Sequence, residues 1–362
     1  MALWKQFLLV CIGLGTFAAS SARAEDIVTR GAQKSIQKGL AYLVNTQSDN
    51  GSWSCDIGYK LNYGYRTTKR GGNHVGVTAL ACMSFMANGN LPGRGRYGQV
   101  VEKGLQFVLR CVSDSGYITH QDSRMYSHAF ATLFLAEMYG MTYRDDVRRS
   151  LKAAVDLIVK SQNDKGGWRY LPLAPDADMS ITVCQVQALR AARNVGIRVP
   201  KQVVMKAIQY VAESANPDGS FKYQNLSLSR DSFPLTAAGL TAIYSTGLYS
   251  DEDQILTQVL SRISSSRKRV ISGAIQYLKR KRYTAGFGTY FYFYGHYYGI
   301  QAMYIAGRQH FDPWYASVRD ELVENQLEDG TWDTQVGPAF STAMGTLILQ
   351  IPYRYLPIFQ KP

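Results

Sequence analysis

The sequence predicts an all-α domain, an (α/α)6 barrel in which six helix pairs close into a ring. Three observations support this prediction. A spaced motif recurs along the chain, an amphipathic helix leads into each copy, and a more apolar helix follows it. Each helix pair is too small to bury its own apolar face, so neighbouring pairs must stack to form one core.

The motif is clearest in the segment from Lys38 to Trp53, which reads Lys-Gly-x-x-Tyr-Leu-x-x-x-Gln-x-x-x-Gly-x-Trp. The segment from Lys206 to Phe221 has the same spacing, and the copy that begins at Lys103 is one residue shorter. The aromatic residues that end the five recognisable copies are Trp53, Tyr117, Trp168, Phe221 and Trp332. The last gap, of 111 residues, is about twice the others, which indicates a degenerate fifth copy with Gly286-Phe287 as its remnant.

Each repeat has a readable physical design. Its first helix is amphipathic and ends at a polar turn whose glycine accepts the left-handed conformation. We expect the Trp or Phe after the turn to pack between neighbouring units, and the Gln before it to bind backbone groups of an adjacent helix. The extended tail from Pro352 to Pro357 is expected to lie against the barrel and seal its final repeat.

The second helix of each repeat is apolar on nearly all sides, as a helix buried on most of its surface should be. These segments are Val75–Met86, Ala129–Met138, Ile181–Ala192, Thr236–Ile243, Tyr298–Ile305 and Thr342–Leu349. The polar-faced helices are therefore predicted to form an outer layer and the apolar helices an inner one. An open solenoid is the alternative, but its ends would need polar capping units, and both terminal repeats carry good copies of the motif.

The N-terminus is predicted to be a secretory signal peptide over residues 1–24, followed by a single toroid domain over 25–362. Lys5 lies in a short positive segment, an apolar run extends from Phe7 to Ala19, and Ala22-Arg23-Ala24 supplies a small-x-small cleavage site. We therefore expect an exported protein, periplasmic or secreted, that is soluble or peripherally bound to a membrane.

Basic residues exceed acidic ones, and the net charge is +13. Eight basic residues and no acidic residue lie between Arg262 and Arg282. They form either a solvated helical face or a contact with anionic lipid headgroups. An exported protein is not expected to bind nucleic acid, and the sequence predicts no cofactor. The mature chain retains four cysteines whose spacing matches no metal motif and leaves their pairing open, namely Cys55, Cys82, Cys111 and Cys184.

The repeated Gln-x-x-x-Gly-x-Trp element resembles the QW motif of squalene and oxidosqualene cyclases and the repeats of protein prenyltransferase β subunits. The resemblance covers essentially the whole mature chain and identifies the prenyltransferase and squalene oxidase repeat superfamily. It implies a terpene-cyclase-like α/α toroid, present here as one toroid rather than the two of a full squalene–hopene cyclase. The zinc site of the prenyltransferases is not expected, because their Asp-x-Cys element is absent and Thr182 stands two residues before Cys184.

Squalene–hopene-type cyclases protonate an alkene with the central Asp of an Asp-x-Asp-Asp-Thr segment. The matching stretch here is Asp176-Ala177-Asp178-Met179-Ser180. The resemblance therefore places Asp178 at the proton-donor position and Asp176 at its partner, while Met179 replaces the last Asp. The alternative is that both carboxylates cap the helix that begins here.

The inner helices of such a barrel all run in one direction, so their N-terminal ends meet at one mouth. The positive ends of six helices there suit anions. We take Asp178, Asp176 and His296 as candidate catalytic residues, with Asp178 as the acid. Candidate ligand-binding residues are His74, Tyr126, His128, Arg169, Tyr294 and Tyr297. The histidines could instead be structural, and the aromatic run over 290–298 a packing collar.

Three functions are compatible with these features. The first is binding of an isoprenoid or other apolar chain in the central cavity, where aromatic walls stabilise cationic intermediates and any chemistry would start from Asp178. The second is a non-catalytic exported scaffold or peptide-binding module, whose protein partner the sequence does not identify. The third is carbohydrate processing, which many (α/α)6 barrels perform with paired carboxylates.

Overall fold

The computed structural model describes residues 27–61, 64–225, 232–244, 250–262 and 266–360. This part of the chain contains thirteen α-helices and one two-stranded antiparallel sheet. The expected signal peptide over residues 1–24 lies outside the described residues. None of the described helices is both long and apolar enough to cross a membrane.

Outer and inner helices alternate along the chain. The outer helices are α1 (Arg30–Thr46), α3 (Gly98–Arg110), α5 (Asp145–Lys160), α7 (Lys201–Glu213), α10 (Arg267–Lys281) and α12 (Arg308–Glu324). The inner helices are α2 (Val75–Ala87), α4 (Met125–Thr142), α6 (Met179–Asn194), α8 (Phe233–Tyr244), α11 (Tyr292–Ala306) and α13 (Pro338–Gln350). One additional helix, α9 (Ser250–Arg262), packs against α7.

The inner helices form a closed ring, because each contacts the next and α13 returns to α2. Every residue of α2 is buried, whereas α1 buries only one face. The predicted inner and outer layers and the ring of six pairs are therefore confirmed, and the open solenoid is not the structure of this chain.

The turn glycines are where each repeat approaches the next. Five of them have φ between +85° and +90°, and these are Gly51, Gly116, Gly166, Gly219 and Gly330. A Cβ atom on any of them would lie 2.1–2.6 Å from backbone atoms of the outer helix of a neighbouring repeat. Only glycine meets both conditions, because it lacks the Cβ that would be strained in this conformation and would collide with the neighbour. Gly330 approaches Lys38 of α1 and so closes the ring.

The predicted role of the motif glutamines is confirmed. The Nε2 atoms of Gln47, Gln162 and Gln326 each donate to the carbonyl of the turn glycine four residues later, at 2.9–3.0 Å. Each also donates to a carbonyl of a neighbouring outer helix at 2.8–2.9 Å. One side chain therefore holds both the turn and the contact between repeats.

The tryptophans of the motif are fully buried and fold back onto their own repeats. The Nε1 atoms of Trp53, Trp168 and Trp332 each donate to the carbonyl ten residues earlier, at 2.7–2.8 Å. This hydrogen bond satisfies the only polar atom of a large buried side chain. Trp53 also lies against Gly104 of α3 and Trp332 against Gly39 of α1, so the expected packing between neighbouring units is confirmed for these two residues.

Two copies of the motif have a different register from the one expected. Gly116 follows Lys103 at the same spacing as in the first copy, so Ile118, and not Tyr117, occupies the aromatic position. In the fifth repeat Gly288 has the positive φ of +85°, whereas Gly286 has φ −69°. A Cβ on Gly288 would meet nothing within 4 Å, so this turn lacks the close approach of the others.

A β-hairpin that was not predicted from the sequence follows Trp53 and consists of β1 (Ser54–Leu61) and β2 (Gly64–Asn73). It lies along the rim of the barrel mouth. Asp56 donates its N–H to the carbonyl of Val336, and the guanidinium of Arg124 stacks 3.8 Å above the ring of Tyr59. The hairpin therefore links the sixth repeat to the second.

The C-terminal tail extends further than expected and reaches inner helices of the second and third repeats, α4 and α6. The N–H of Ile358 donates to Oε2 of Glu137 at 3.1 Å, and the ring of Phe359 packs 6.1 Å from that of Tyr297. Burial raises the pKa of Glu137 to about 8. The tail thus covers the end of the barrel opposite the mouth.

We expect the substitution Gly166→Ala to destabilise the fold more than Gly196→Ala. Both residues have a positive φ, of +88° and +81°, but only Gly166 faces a backbone oxygen, that of Lys206 at 2.2 Å from the Cβ position. The left-handed conformation alone should cost about 1 kcal/mol at either site. The collision should add about 1–3 kcal/mol at Gly166, as measured by urea unfolding. Equal losses would show that the close approach does not stabilise the ring.

Candidate functional site

Asp178 begins the third inner helix, α6, and all of its polar contacts are local. Its N–H donates to the carbonyl of Trp168 at 3.0 Å, which ties the start of the helix to the motif. Its Oδ1 accepts from the N–H of Ile181 at 3.0 Å and from the hydroxyl of Ser180. Asp178 is therefore the N-cap of α6, held by the sequence around it.

Arg169 joins the two candidate acids. Its Nη1 lies 2.7 Å from Oδ2 of Asp178, and its Nε lies 3.1 Å from Oδ2 of Asp176. The side chain of Asp178 is fully buried, whereas that of Asp176 is 53% exposed. The pairing thus combines a buried carboxylate and a surface carboxylate on one guanidinium.

Four half-buried tyrosines surround this group. Nη1 of Arg169 donates to the hydroxyl of Tyr223 at 2.9 Å, and that hydroxyl is 2.6 Å from the hydroxyl of Tyr170. The ring of Tyr126 lies 6.2 Å from that of Tyr170 and 6.5 Å from that of Tyr294. We call this set the tyrosine basin: Arg169, Asp176, Asp178, Tyr126, Tyr170, Tyr223 and Tyr294.

Burial sets the protonation states in the tyrosine basin. It raises the pKa of Asp178, while hydrogen bonds from Ser180 and Ile181 and the charge of Arg169 oppose the increase. It also raises the pKa of Tyr126 and of Tyr294 well above the ordinary value. These hydroxyls consequently stay protonated at neutral pH and are available both as donors and as acceptors.

The repeat positions the tyrosines of the basin. The first N–H of α4, from Met125, donates to the carbonyl of Tyr170 at 3.0 Å, and the first N–H of α6, from Met179, donates to that of Tyr223 at 2.9 Å. Tyr170 and Tyr223 each stand two residues after the aromatic end of their motif. Neither residue was predicted from the sequence, although their shared offset from the motif was a signal that could have identified them.

Side chains of opposite helices meet across the barrel axis, both in the tyrosine basin and below it. α4 and α11 are the second and fifth of the six inner helices, yet Tyr126 contacts Tyr294, and Phe130 lies 6.3 Å from Tyr297. Tyr297 in turn contacts Phe359 of the tail. The predicted binding residue Tyr297 is therefore buried below the mouth, and aromatic side chains occupy the axis at these three levels.

His296 is buried away from the basin. Its Nε2 lies 2.9 Å from the carbonyl of Ala285, and its ring packs against Phe233, Tyr292 and Trp314. Burial lowers its pKa to about 3. Within the described residues no hydrogen bond or ring contact joins His296 to Asp178, so the structure does not bring these two candidate catalytic residues together.

His128 has a structural contact that the repeat explains. Its Nδ1 accepts from the N–H of Ile118 at 3.1 Å. In three other repeats a threonine hydroxyl accepts from the N–H at the same motif position, and these are Thr78, Thr182 and Thr236. His74 is the N-cap of α2 and accepts from the N–H of Val77 at 3.3 Å. Burial lowers the pKa of His128 to about 3 and that of His74 to about 4.

The described part of the chain contains no cluster of metal-binding side chains and no disulfide. No group of three or more His, Cys, Asp or Glu side chains there is placed to hold a metal ion. The four cysteines Cys55, Cys82, Cys111 and Cys184 are buried free thiols. Burial raises their pKa values above the ordinary range of a thiol.

No protein-family model and no curated protein sequence matches this chain. Solved α/α toroids do match over about nine-tenths of it. Type II terpene cyclase MstE from Scytonema, in complex with its product merosterolic acid A, has 13% identity and a TM-score of 0.56 over 91% of this chain and 98% of its own. An inactive α-1,6-mannanase variant of Salegentibacter sp. HEL1_6, with α-1,6-mannotriose, has 8% identity and a TM-score of 0.60. That match covers 88% of this chain and 98% of the mannanase chain. Cellobiose 2-epimerase from Bacillus thermoamylovorans has 13% identity and a TM-score of 0.57. That match covers 87% of this chain and 95% of the epimerase chain. At these identities the similarity establishes the toroid fold, which terpene cyclases and carbohydrate enzymes share.

We expect the free energy of unfolding to decrease less on acidification in the variant His128→Thr than in the wild type. The folded protein keeps His128 neutral down to a pKa of about 3, whereas an unfolded histidine binds a proton near pH 6.5. Stability from this residue is therefore present above pH 6.5 and is lost as the pH falls. The loss should reach about 2 kcal/mol per histidine between pH 7 and pH 5.

A threonine at position 128 keeps an acceptor for Ile118 but has no titration in this range. Urea unfolding at both pH values measures the difference. An unchanged pH dependence in the variant would contradict the assignment of His128 as a neutral structural acceptor.

Proposed function

We propose that this protein is a carbohydrate-binding toroid and that the tyrosine basin is its ligand site. The observation that carries the proposal is Arg169, held by Asp178 and surrounded by four tyrosines at the mouth of the barrel. In this arrangement Asp178 orients a guanidinium and does not supply a proton.

The chemistry of the basin suits a sugar. A pyranose ring has apolar C–H faces that pack on aromatic rings and hydroxyl edges that bind planar polar side chains. The four tyrosines offer rings and neutral hydroxyls. Arg169 offers fixed donors, and the half-exposed carboxylate of Asp176 offers an acceptor for sugar hydroxyls. A rigid aromatic site with a few placed polar groups is the usual form of a small-ligand site.

The same geometry argues for binding without hydrolysis. A glycoside hydrolase needs one carboxyl group of its pair to be protonated, so that it can donate to the leaving oxygen. Here both carboxylates share Arg169, and the two oxygens of Asp178 already accept from Arg169, Ser180 and Ile181. Two of the similar solved structures are sugar proteins by name: an inactive α-1,6-mannanase variant bound to α-1,6-mannotriose, and a cellobiose 2-epimerase.

We expect Tyr223→Leu to weaken sugar binding about tenfold or more, because it removes an aromatic wall and a hydroxyl that binds Arg169. The probes are α-1,6-mannotriose and cellobiose, and isothermal titration calorimetry measures the dissociation constants. Tyr143→Leu is the matched control, since Tyr143 is 76% exposed and lies outside the basin. Absence of sugar binding by the wild-type protein, or equal affinity in the two variants, would overturn the proposal.

A second candidate function is acid-initiated chemistry on an isoprenoid, as the terpene-cyclase resemblance implies. Asp178 stands at the family's proton-donor position, and burial raises its pKa. A variant of MstE has been solved with geranylgeranyl dihydroxybenzoate as substrate, and the match spans 98% of its chain, so a toroid of this length holds an isoprenoid substrate in that protein. Ring contacts join α4 and α11 across the axis at two levels, Tyr126 with Tyr294 and Phe130 with Tyr297, which favours the first candidate.

Paired substitutions distinguish the two candidates. We expect Asp178→Asn to lower the free energy of unfolding by roughly 2–3 kcal/mol, because Arg169 loses its buried partner but remains partly solvated. Asp176→Asn should cost less than about 1 kcal/mol. Neither the wild type nor the variants should convert geranylgeranyl dihydroxybenzoate, as checked by mass spectrometry. A cyclised product that Asp178→Asn abolishes without unfolding the protein would establish the second candidate instead.

We further propose that the protein acts outside the cytoplasm. The support is the signal-peptide pattern of residues 1–24, with its apolar run from Phe7 to Ala19 and its Ala22-Arg23-Ala24 site. N-terminal sequencing of the protein from its native cells tests this directly. A chain beginning at Glu25 supports export, and one that retains Met1 contradicts it.

A further inference from the structure

The fifth repeat leaves a pocket at the mouth end of the barrel. In the second and third repeats the first N–H of the inner helix is bound by a carbonyl of the next repeat. Within the described residues no backbone hydrogen bond joins Phe233, the first residue of α8, to the fifth repeat. A pocket of about 300 Å³ lies at this seam instead, between Phe233 and the turn that ends at Phe291.

The walls of the pocket are aromatic and its rim is basic. Phe233, Tyr277 and Tyr292 line it and are buried, whereas Lys281 and Phe291 line it and are exposed to solvent. An apolar interior next to a solvated cation suits an amphipathic ligand whose polar end carries negative charge.

The rim continues into an exposed surface that combines cations with aromatic side chains. Lys279, Arg280 and Lys281 form the last turn of α10 and are exposed. The ring of Tyr283 is 82% exposed and that of Phe291 is 45% exposed. We call these five residues the basic–aromatic face.

The segment that carries this face has no acidic side chain to balance its positive charge. No acidic residue lies between Arg262 and Arg282. Glu321, on the neighbouring helix α12, is already paired with Arg282 and also accepts from the N–H of Phe287. In the part of the chain that the structure describes, no ion pair engages Lys279, Arg280 or Lys281. Three neighbouring cations therefore face solvent without a counterion from the described part of the chain.

We propose that the basic–aromatic face docks on the surface of an anionic lipid bilayer. Exposed tyrosine and phenylalanine rings beside lysine and arginine match the interfacial zone of a membrane, where rings insert at the level of the headgroups and cations attract anionic lipids. The pocket behind Lys281 and Phe291 gives one lipid a place to enter. A solvated helix face without ligand would not require the two exposed rings.

The charge contribution is tested with vesicles of one part phosphatidylglycerol to two parts phosphatidylcholine, using the full mature chain. Each cation near such a surface strengthens binding about fivefold. The triple variant Lys279→Gln, Arg280→Gln, Lys281→Gln should therefore lose about a hundredfold in vesicle affinity by co-sedimentation. The matched control is Arg148→Gln, Arg149→Gln, Lys152→Gln, which removes three exposed cations from α5 and should bind as the wild type does.

Three further results decide the proposal. Wild-type binding should decrease with salt and should be much weaker on vesicles of phosphatidylcholine alone. The double variant Tyr283→Ser, Phe291→Ser should lose about tenfold, whereas Tyr143→Ser, Tyr355→Ser, which removes two exposed rings elsewhere, should not. Circular dichroism checks that each variant is folded. Equal loss in the α10 and α5 variants, or no preference for anionic vesicles, would overturn the proposal.

Discussion

The close approach of five turn glycines to the next outer helix is the constraint on which the ring depends. At five seams the backbone of one repeat comes so near the next that even a Cβ atom would overlap it. At three of these seams the motif glutamine binds both partners, so the turn and the neighbouring helix are fixed together. Because the same contact recurs in five of the six repeats, the inner helices begin at one level and their N-terminal ends share one mouth.

That arrangement explains why the candidate chemistry lies at the mouth. Asp178 begins an inner helix as its N-cap, and Arg169 follows the motif tryptophan of the same repeat. Tyr170 and Tyr223 lie two residues beyond the aromatic ends of consecutive repeats, so the contacts between repeats bring them side by side. At the opposite end the tail and the buried Glu137 close the barrel. The aromatic rings and the charged groups of the tyrosine basin therefore lie at one end of the barrel.

The fifth repeat shows what happens when the constraint is missing. Its turn does not closely approach the sixth repeat. A pocket and two exposed aromatic residues lie near the contact between the fourth and fifth repeats. The most basic segment of the chain precedes this turn. A departure from the repeat thus coincides with the features that a stable core does not need, which is the pattern expected where binding rather than packing selects the residues.

The sequence by itself determined the repeat, the order of outer and inner helices and the closed ring, because each depends on local spacing and on which helix faces are apolar. It also indicated the role of the motif glutamines. It did not determine which side chains meet between distant repeats. Asp178 and Arg169 were predicted as site residues. The sequence did not predict that one guanidinium joins Asp178 and Asp176, or that Tyr170 and Tyr223 lie beside it. His128 looked like a candidate ligand residue until its place in the repeat showed it standing where other repeats have threonine. The hairpin, the contacts across the axis and the path of the tail were decided by the tertiary structure alone, because they join residues that are distant in sequence and leave no periodic signal.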